Sequence, residues 1–212
     1  MGRSDAAARP AAGGGMSPAE EAALVRRLAA GDGEAFALVW RRHNAAMVRV
    51  ATGILGNRAS AEEVAQDSWI AVMRAIGDFR GDCSLAGWIF TILVNTARNR
   101  AAREGRMVSF EETDGPDGLA DAFDGRGRWR RMPALWEELT PERIVAGRSV
   151  LAHVEAAIAA LPPGQRAVIV LRAQVGLEAR EVCEILGISE GNMRVMLHRA
   201  RLAVRAALER IA

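Results

Sequence analysis

Apolar residues recur at three- and four-residue spacings through most of the chain, and this period predicts helices throughout. Ser17-Pro18-Ala19-Glu20 opens the first, with Ser17 as cap, Pro18 at the first helical position and Glu20 closing a capping box. Leu24 and Leu28 form its stripe, and Gly31-Asp32-Gly33 ends it. A longer pattern follows through Phe36, Val39, Trp40, Met47, Val50, Ile54 and Leu55, stopping at Gly56-Asn57. A second capping box, Ser60-Ala61-Glu62-Glu63, opens a helix with Val64, Ile70, Val72, Met73 and Ile76 as its apolar members. Residues 78–87, rich in glycine and short polar side chains, read as a loop. The next helix is expected from about Trp88 to Arg103, apolar at Trp88, Ile89, Ile92 and Leu93, then basic at Arg98, Arg100 and Arg103.

Near the C-terminus the same reading gives a helix-turn-helix. Val182, Ile185 and Leu186 share one face of its first helix, Gly187 supplies the backbone freedom for a tight exit, and Ser189 caps the second helix. There Met193, Leu197, Ala200 and Val204 fall on one buried face, leaving Asn192, Arg194, His198, Arg199 and Arg201 on the other. Such a helix can enter a DNA major groove, where arginine forks match guanine edges and phosphates. It can equally be the solvated face of an ordinary hairpin.

Half of the 212 residues are apolar, enough for one or two domains with proper cores. All 28 basic residues are arginine and 26 are acidic, a net charge of only +2, so the signal is in the distribution. Residues 107–148 are acid-rich and residues 189–212 basic, as expected of a DNA reader with a solvated connector. Residues 1–16 are expected to form a disordered tail, and Met16 is an alternative start.

Cys83 and Cys183 stand a hundred residues apart without a C-x-x-C pattern or clustered histidines, so neither a disulfide framework nor a metal site is indicated. His43 and His153 read as incidental or structural. With no phosphate-binding glycine loop and no nucleophile–base cluster, an enzyme, a cofactor and a small-molecule substrate are not expected. The absence of a signal-peptide core or an apolar run of ~20 residues leads to the expectation of a cytoplasmic protein.

Two features stay open on spacing alone. Glu62, Glu63, Gln66 and Asp67 form either a solvated acidic face or a docking surface. Trp88 belongs either to the core or, with the neighbouring loop and basic helix, to a platform for single-stranded DNA.

In order along the chain stand Gly31-Asp32 with Ala35-Phe36, Ala61-Glu62-Glu63-Val64-Ala65-Gln66-Asp67, Phe79-Arg80-Gly81, Trp88-Ile89-Phe90, and Val94-Asn95-Thr96-Ala97-Arg98-Asn99. Leu161-Pro162-Pro163-Gly164-Gln165-Arg166, the helix-turn-helix, and Leu197-His198-Arg199-Ala200-Arg201 complete the series. This set resembles the extracytoplasmic-function (ECF) sigma factors, sigma-70-type subunits of bacterial RNA polymerase, over about residues 20–105 and 149–209.

The resemblance implies an all-α protein of two small helical domains joined by a flexible linker, the C-terminal one a helix-turn-helix. Residues 17–105 would be region 2, residues 106–148 the linker and residues 149–212 region 4. It implies docking to core polymerase through the β′ clamp helices and the β flap, with Glu62, Glu63, Gln66 and Asp67 on the docking helix. Asp82, Cys83, Ser84, Asn95, Arg98 and Asn99 would hold the minus-10 element of promoter DNA with a base flipped from the stack. Ser189, Asn192, Arg194, Val195, His198, Arg199 and Arg201 would face the minus-35 element. An anti-sigma factor is the further partner implied.

Val195 and Met196 are apolar where polar or basic residues are common in that family, and Cys183 replaces a small alanine. Trp129 and Trp136 in the linker mark either a contact with one of the domains or with polymerase, or a local cluster with Met132 and Leu135, and Thr140-Pro141-Glu142 reads as a helix start. The runner-up function is a stand-alone helix-turn-helix regulator, which would need a ligand pocket or a dimerising helix in its N-terminal half.

Overall fold

The computed structural model describes residues 16–106, Phe110 and residues 147–209, with helices as the regular elements of these residues. The N-terminal tail, the linker tryptophans Trp129 and Trp136 and the Thr140-Pro141 helix start lie outside the described residues. Helices α1 (Pro18–Ala29), α2 (Gly33–Leu55), α3 (Arg58–Ala75) and α4 (Leu85–Arg103) form the first unit. Helices α5 (Gly147–Ala160), α6 (Pro163–Ile169), α7 (Ala179–Leu186) and α8 (Glu190–Glu209) form the second.

Local chemistry sets most boundaries. Both halves of the Ser17–Glu20 capping box are made. Asp32, read only as part of a helix stop, caps α2 by accepting from the backbone N–H groups of Glu34 and Ala35. Gly56 closes α2 in the left-handed region at φ 65°, where glycine carries no Cβ penalty.

Two expected starts are corrected. The cap of α3 is Asn57, whose Oδ1 accepts from Ala59 and Ser60, so Ser60 lies inside the helix and its box does not form. Helix α4 starts at Leu85, three residues before Trp88, because Ser84 Oγ accepts from the Gly87 N–H at 3.0 Å.

The first unit packs α2, α3 and α4 around Met47, Val50, Leu55, Val64, Val72, Ile89, Phe90 and Leu93, all buried. Trp69 closes one side edge-on to Phe36 at 5.6 Å and donates its indole N–H to Asn44 Oδ1 at 3.0 Å. Trp88 lies half-buried on the Phe79 ring at 5.3 Å, which favours its structural reading. Trp40 and Ile70, expected in the apolar stripes, are 43% and 50% exposed.

In the second unit α8 packs against both α5 and α6. After Ile169 the backbone of α6 widens into a π-helical stretch, Val170–Val175, ending at Gly176 with φ 84°. The two units share one continuous core, with α2 against α6 and its π extension and α4 against α7.

Candidate polymerase and promoter interfaces

Helix α3 brings Glu62, Glu63, Gln66 and Asp67 onto one exposed face, since residues three and four apart stack along a helix. Exposed Ile70 extends this face by one turn. Trp40 of α2 stands across a groove whose walls include Glu62 and Gln66. The same groove is lined by Arg49, Arg58 and Arg166 and by Glu155, so its walls carry both signs of charge beside a large exposed apolar side chain. Trp40 and Ile70 were missed in the sequence because both fit the apolar stripe; only burial separates them from it.

Asn95 and Asn99 lie one turn apart on the outer face of α4 and are exposed. Behind them Arg100 is drawn to Glu104 at 2.6 Å and Glu63 at 3.4 Å, which links the basic rim of α4 to the acidic face of α3. Arg98 points the other way: half-buried, it donates to the Leu186 carbonyl at 2.6 Å. In the loop, Asp82 is exposed, while Cys83 and Ser84 are half-buried. Burial, then the carboxylates of Glu181 and Asp82, raise the pKa of the Cys83 thiol. Burial first of all does the same to Cys183. Both thiols therefore stay protonated near neutral pH.

The helix-turn-helix forms as read: Val182, Ile185 and Leu186 are buried, Gly187 is left-handed at φ 63°, and Ser189 Oγ accepts from Asn192 N–H at 3.2 Å. On α8, Arg194 is exposed beside Glu190 at 2.9 Å, Arg201 is exposed, and Asn192, Val195 and Arg199 are half-buried. His198 is the correction. It is only 5% exposed, so the position assigned to DNA is withdrawn from solvent. Packing of α8 on α5, α6 and α7 rather than on one helix widens its buried surface beyond the single stripe of Met193, Leu197 and Ala200, and Met196 is buried as well. Neither residue stands out by period.

The class that fold and surfaces define is matched by known families. Residues 39–107 match the model of sigma-70 region 2, and residues 152–204 that of sigma-70 region 4. The chain is 28% identical to RNA polymerase sigma-H factor of Pseudomonas aeruginosa over 92% of its own length and 96% of the relative's. It is 30% identical to the ECF RNA polymerase sigma-E factors of Salmonella typhimurium and Escherichia coli K12, over 85% of this chain and 90% of each relative. Among solved structures, that of CnrH in complex with the cytosolic domain of CnrY shares the fold, with a TM-score of 0.50 and 24% identity over 91% of this chain and 99% of that one.

The chain belongs to the ECF group of RNA polymerase sigma factors, in the sigma-70 family. A stand-alone regulator is not favoured. Among the described residues no helix is long and apolar enough to cross a membrane.

Proposed function

We propose that this protein is a non-enzymatic initiation factor that works in the cytoplasm, docks on core RNA polymerase through α3 and carries it to promoters. Region 2, residues 17–105, supplies docking and minus-10 recognition. Region 4, residues 149–212, reads the minus-35 element, and residues 106–148 connect them. The observation that carries this reading is the exposed face of Glu62, Glu63, Gln66, Asp67 and Ile70, with Trp40 beside it. Carboxylates at its rim set the rate and register of docking to a basic partner, and the two apolar side chains supply desolvated anchors.

Asn95 and Asn99 present amides to the minus-10 strand from a rigid helix. Ser84, Arg98, Asp82 and Cys83 complete that edge when it is free. Arg194 and Arg199 supply the forks for duplex bases or phosphates, beside Asn192, Arg201, Val195 and Ser189. His198 acts in packing. An anti-sigma factor that covers the docking face is the natural antagonist of such a surface.

The test is co-purification with core polymerase. Replacing Glu63 and Asp67 together by arginine lowers affinity for core at least about tenfold. The Glu63–Arg100 pair is exposed and screened by solvent, so its loss alone leaves the fold intact. Undiminished binding of the folded double variant removes α3 as the docking helix. Asn95→Ala, in the same assay, leaves core binding intact and reduces open-complex formation.

A further inference from the structure

The groove beside Trp40 is lined by α2, α3 and α5 and has a volume of about 820 Å³. On α2 it is bounded by Ala45, Val48 and Thr52, and on α5 by Ile158 and Ala159. The alanines leave room for a bulky side chain, and the half-buried Val48 and Ile158 offer it an apolar bed. The charges around the groove are unevenly satisfied. Arg49 pairs with Glu155 at 2.8 Å, and Arg58 with Glu62 at 2.8 Å. Arg166 of α6 is held only by backbone among the described residues: it donates to the carbonyls of Ala159 and Leu161, and its Nε is buried without an acceptor. Burial alone acts on its pKa and lowers it, whereas a carboxylate close by would raise it. A half-buried cation in this state is stabilised by an acid brought to it, because burying an unpaired charge is costly.

Outside the described residues the chain carries a segment of matching chemistry. Trp136-Glu137-Glu138-Leu139 sets an indole and a leucine beside two carboxylates. The segment lies about ten residues before Gly147, where α5 begins, and so has a reach of up to ~30 Å from that point. From Gly147 to Ala159 the helix rises ~18 Å. The segment can therefore turn back along α5 as far as Arg166. A tether this short keeps it at high local concentration over the groove, which favours it over a free partner of the same chemistry.

We infer that the groove is a seat for the chain's own Trp136–Leu139 segment, with the indole on Val48 and Ile158 and Glu137 or Glu138 on the Arg166 guanidinium. Trp40, Glu62 and Gln66 belong both to this groove and to the docking face, so the seated segment and core polymerase exclude one another. That consequence rests on the docking role given above to α3, whereas the seat does not. The linker then tunes the affinity for core: a seat filled about nine-tenths of the time weakens docking about tenfold.

The test uses the full-length chain with Cys83→Ser and Cys183→Ala, carrying one nitroxide attached through Thr140→Cys. It is compared with the same chain bearing Trp136→Ala, Glu137→Gln and Glu138→Gln. Paramagnetic broadening of backbone amides in NMR spectra reports where the labelled segment lies. The amides of Ala45, Val48 and Thr52 on α2 should broaden with the native segment and recover in the triple variant. The Arg166 Nε–H resonance should shift between the two chains, since only one of them offers it a carboxylate. Titration of unlabelled chains with core polymerase should show the triple variant binding about tenfold more tightly.

The substituted segment lies outside the helices that build both units, and assembly of each chain with core shows that it is folded. Equal broadening of Ala45, Val48 and Thr52 in the two chains, or none in either, overturns the seat. Broadening carried from a nitroxide-bearing chain to an isotope-labelled copy without nitroxide would assign the groove to a second copy's segment and overturn the intramolecular seat. A seat lost in the triple variant with no change in core affinity overturns the competition alone. Should core affinity also be indifferent to Glu63→Arg with Asp67→Arg, the docking role of α3 is what fails, and the broadening still decides the seat.

Discussion

His43 lies on the inner face of α2, 6% exposed, with its ring edge-on to Phe90 at 6.1 Å and Nδ1 lacking a hydrogen-bond partner. Burial, with a smaller contribution from the Arg42 charge, lowers its pKa to about 4. The folded protein thus holds a neutral imidazole that the unfolded chain protonates near pH 6.5. Between these values the unfolded state binds more protons, so stability is full above about pH 6.5 and falls progressively to pH 4, by about 3 kcal/mol from this group. Chemical denaturation across that window should show a smaller loss for His43→Leu than for wild type, the difference being the histidine's share. An equal loss in both would remove His43 as a source of acid lability. Its place was legible: Val39, His43, Met47 and Val50 recur at helical spacing, and only the polar ring hid it. Trp40 shows the reverse, since apolar character placed it inside when its position faces out.

The helices illustrate which local signals decide. Two caps competed for the start of α3. Ser60 carries the box pattern, but Asn57 follows a glycine that has already turned the chain, and its Oδ1 reaches two orphan N–H groups. Asn57→Ala should therefore cost about 1 kcal/mol in denaturant unfolding, whereas Ser60→Ala, inside the helix, should be near neutral. The opposite order would restore the Ser60 box. Helix number, type and main apolar faces in the first unit could be read from period and punctuation, and so could the helix-turn-helix with its Ser189 cap, whereas the short α6 was not read. Boundaries were less legible at α3 and α4, because several Ser, Asn and Asp side chains lie within capping reach and tertiary packing selects among them. The π stretch after Ile169 left no mark in the period of apolar residues. Of the candidate sites, the α3 face and the Asn95–Asn99 pair were visible as exposed polar spacing. The burial of His198 was not, since it depends on neighbours far away in sequence.

At the scale of the molecule, the packing of the two units is the least legible feature. Contacts such as Ser84–Glu181 and Arg49–Glu155 join residues about a hundred positions apart and impose no period on either. What the sequence does show is the reach of the connection. The ~40 residues between Arg106 and Gly147 can extend to ~130 Å. Promoter elements ~85 Å apart, read by units each about 13 Å in radius, leave roughly 60 Å for the connector. The native length clears this span with slack, and shortening it to about ten residues, a reach of ~35 Å, does not. A chain with residues 113–142 deleted should still bind core, because α1–α4 are untouched, and should still bind a minus-10 single strand as holoenzyme. Open-complex formation on a duplex promoter should fall to the level of one whose minus-35 element has been scrambled, since region 4 can no longer reach that element. Restoring the length with a glycine–serine segment should recover it, because reach and not linker sequence is what the geometry demands. Full activity of the shortened chain would show that the two elements are not read at the same time by the same copy.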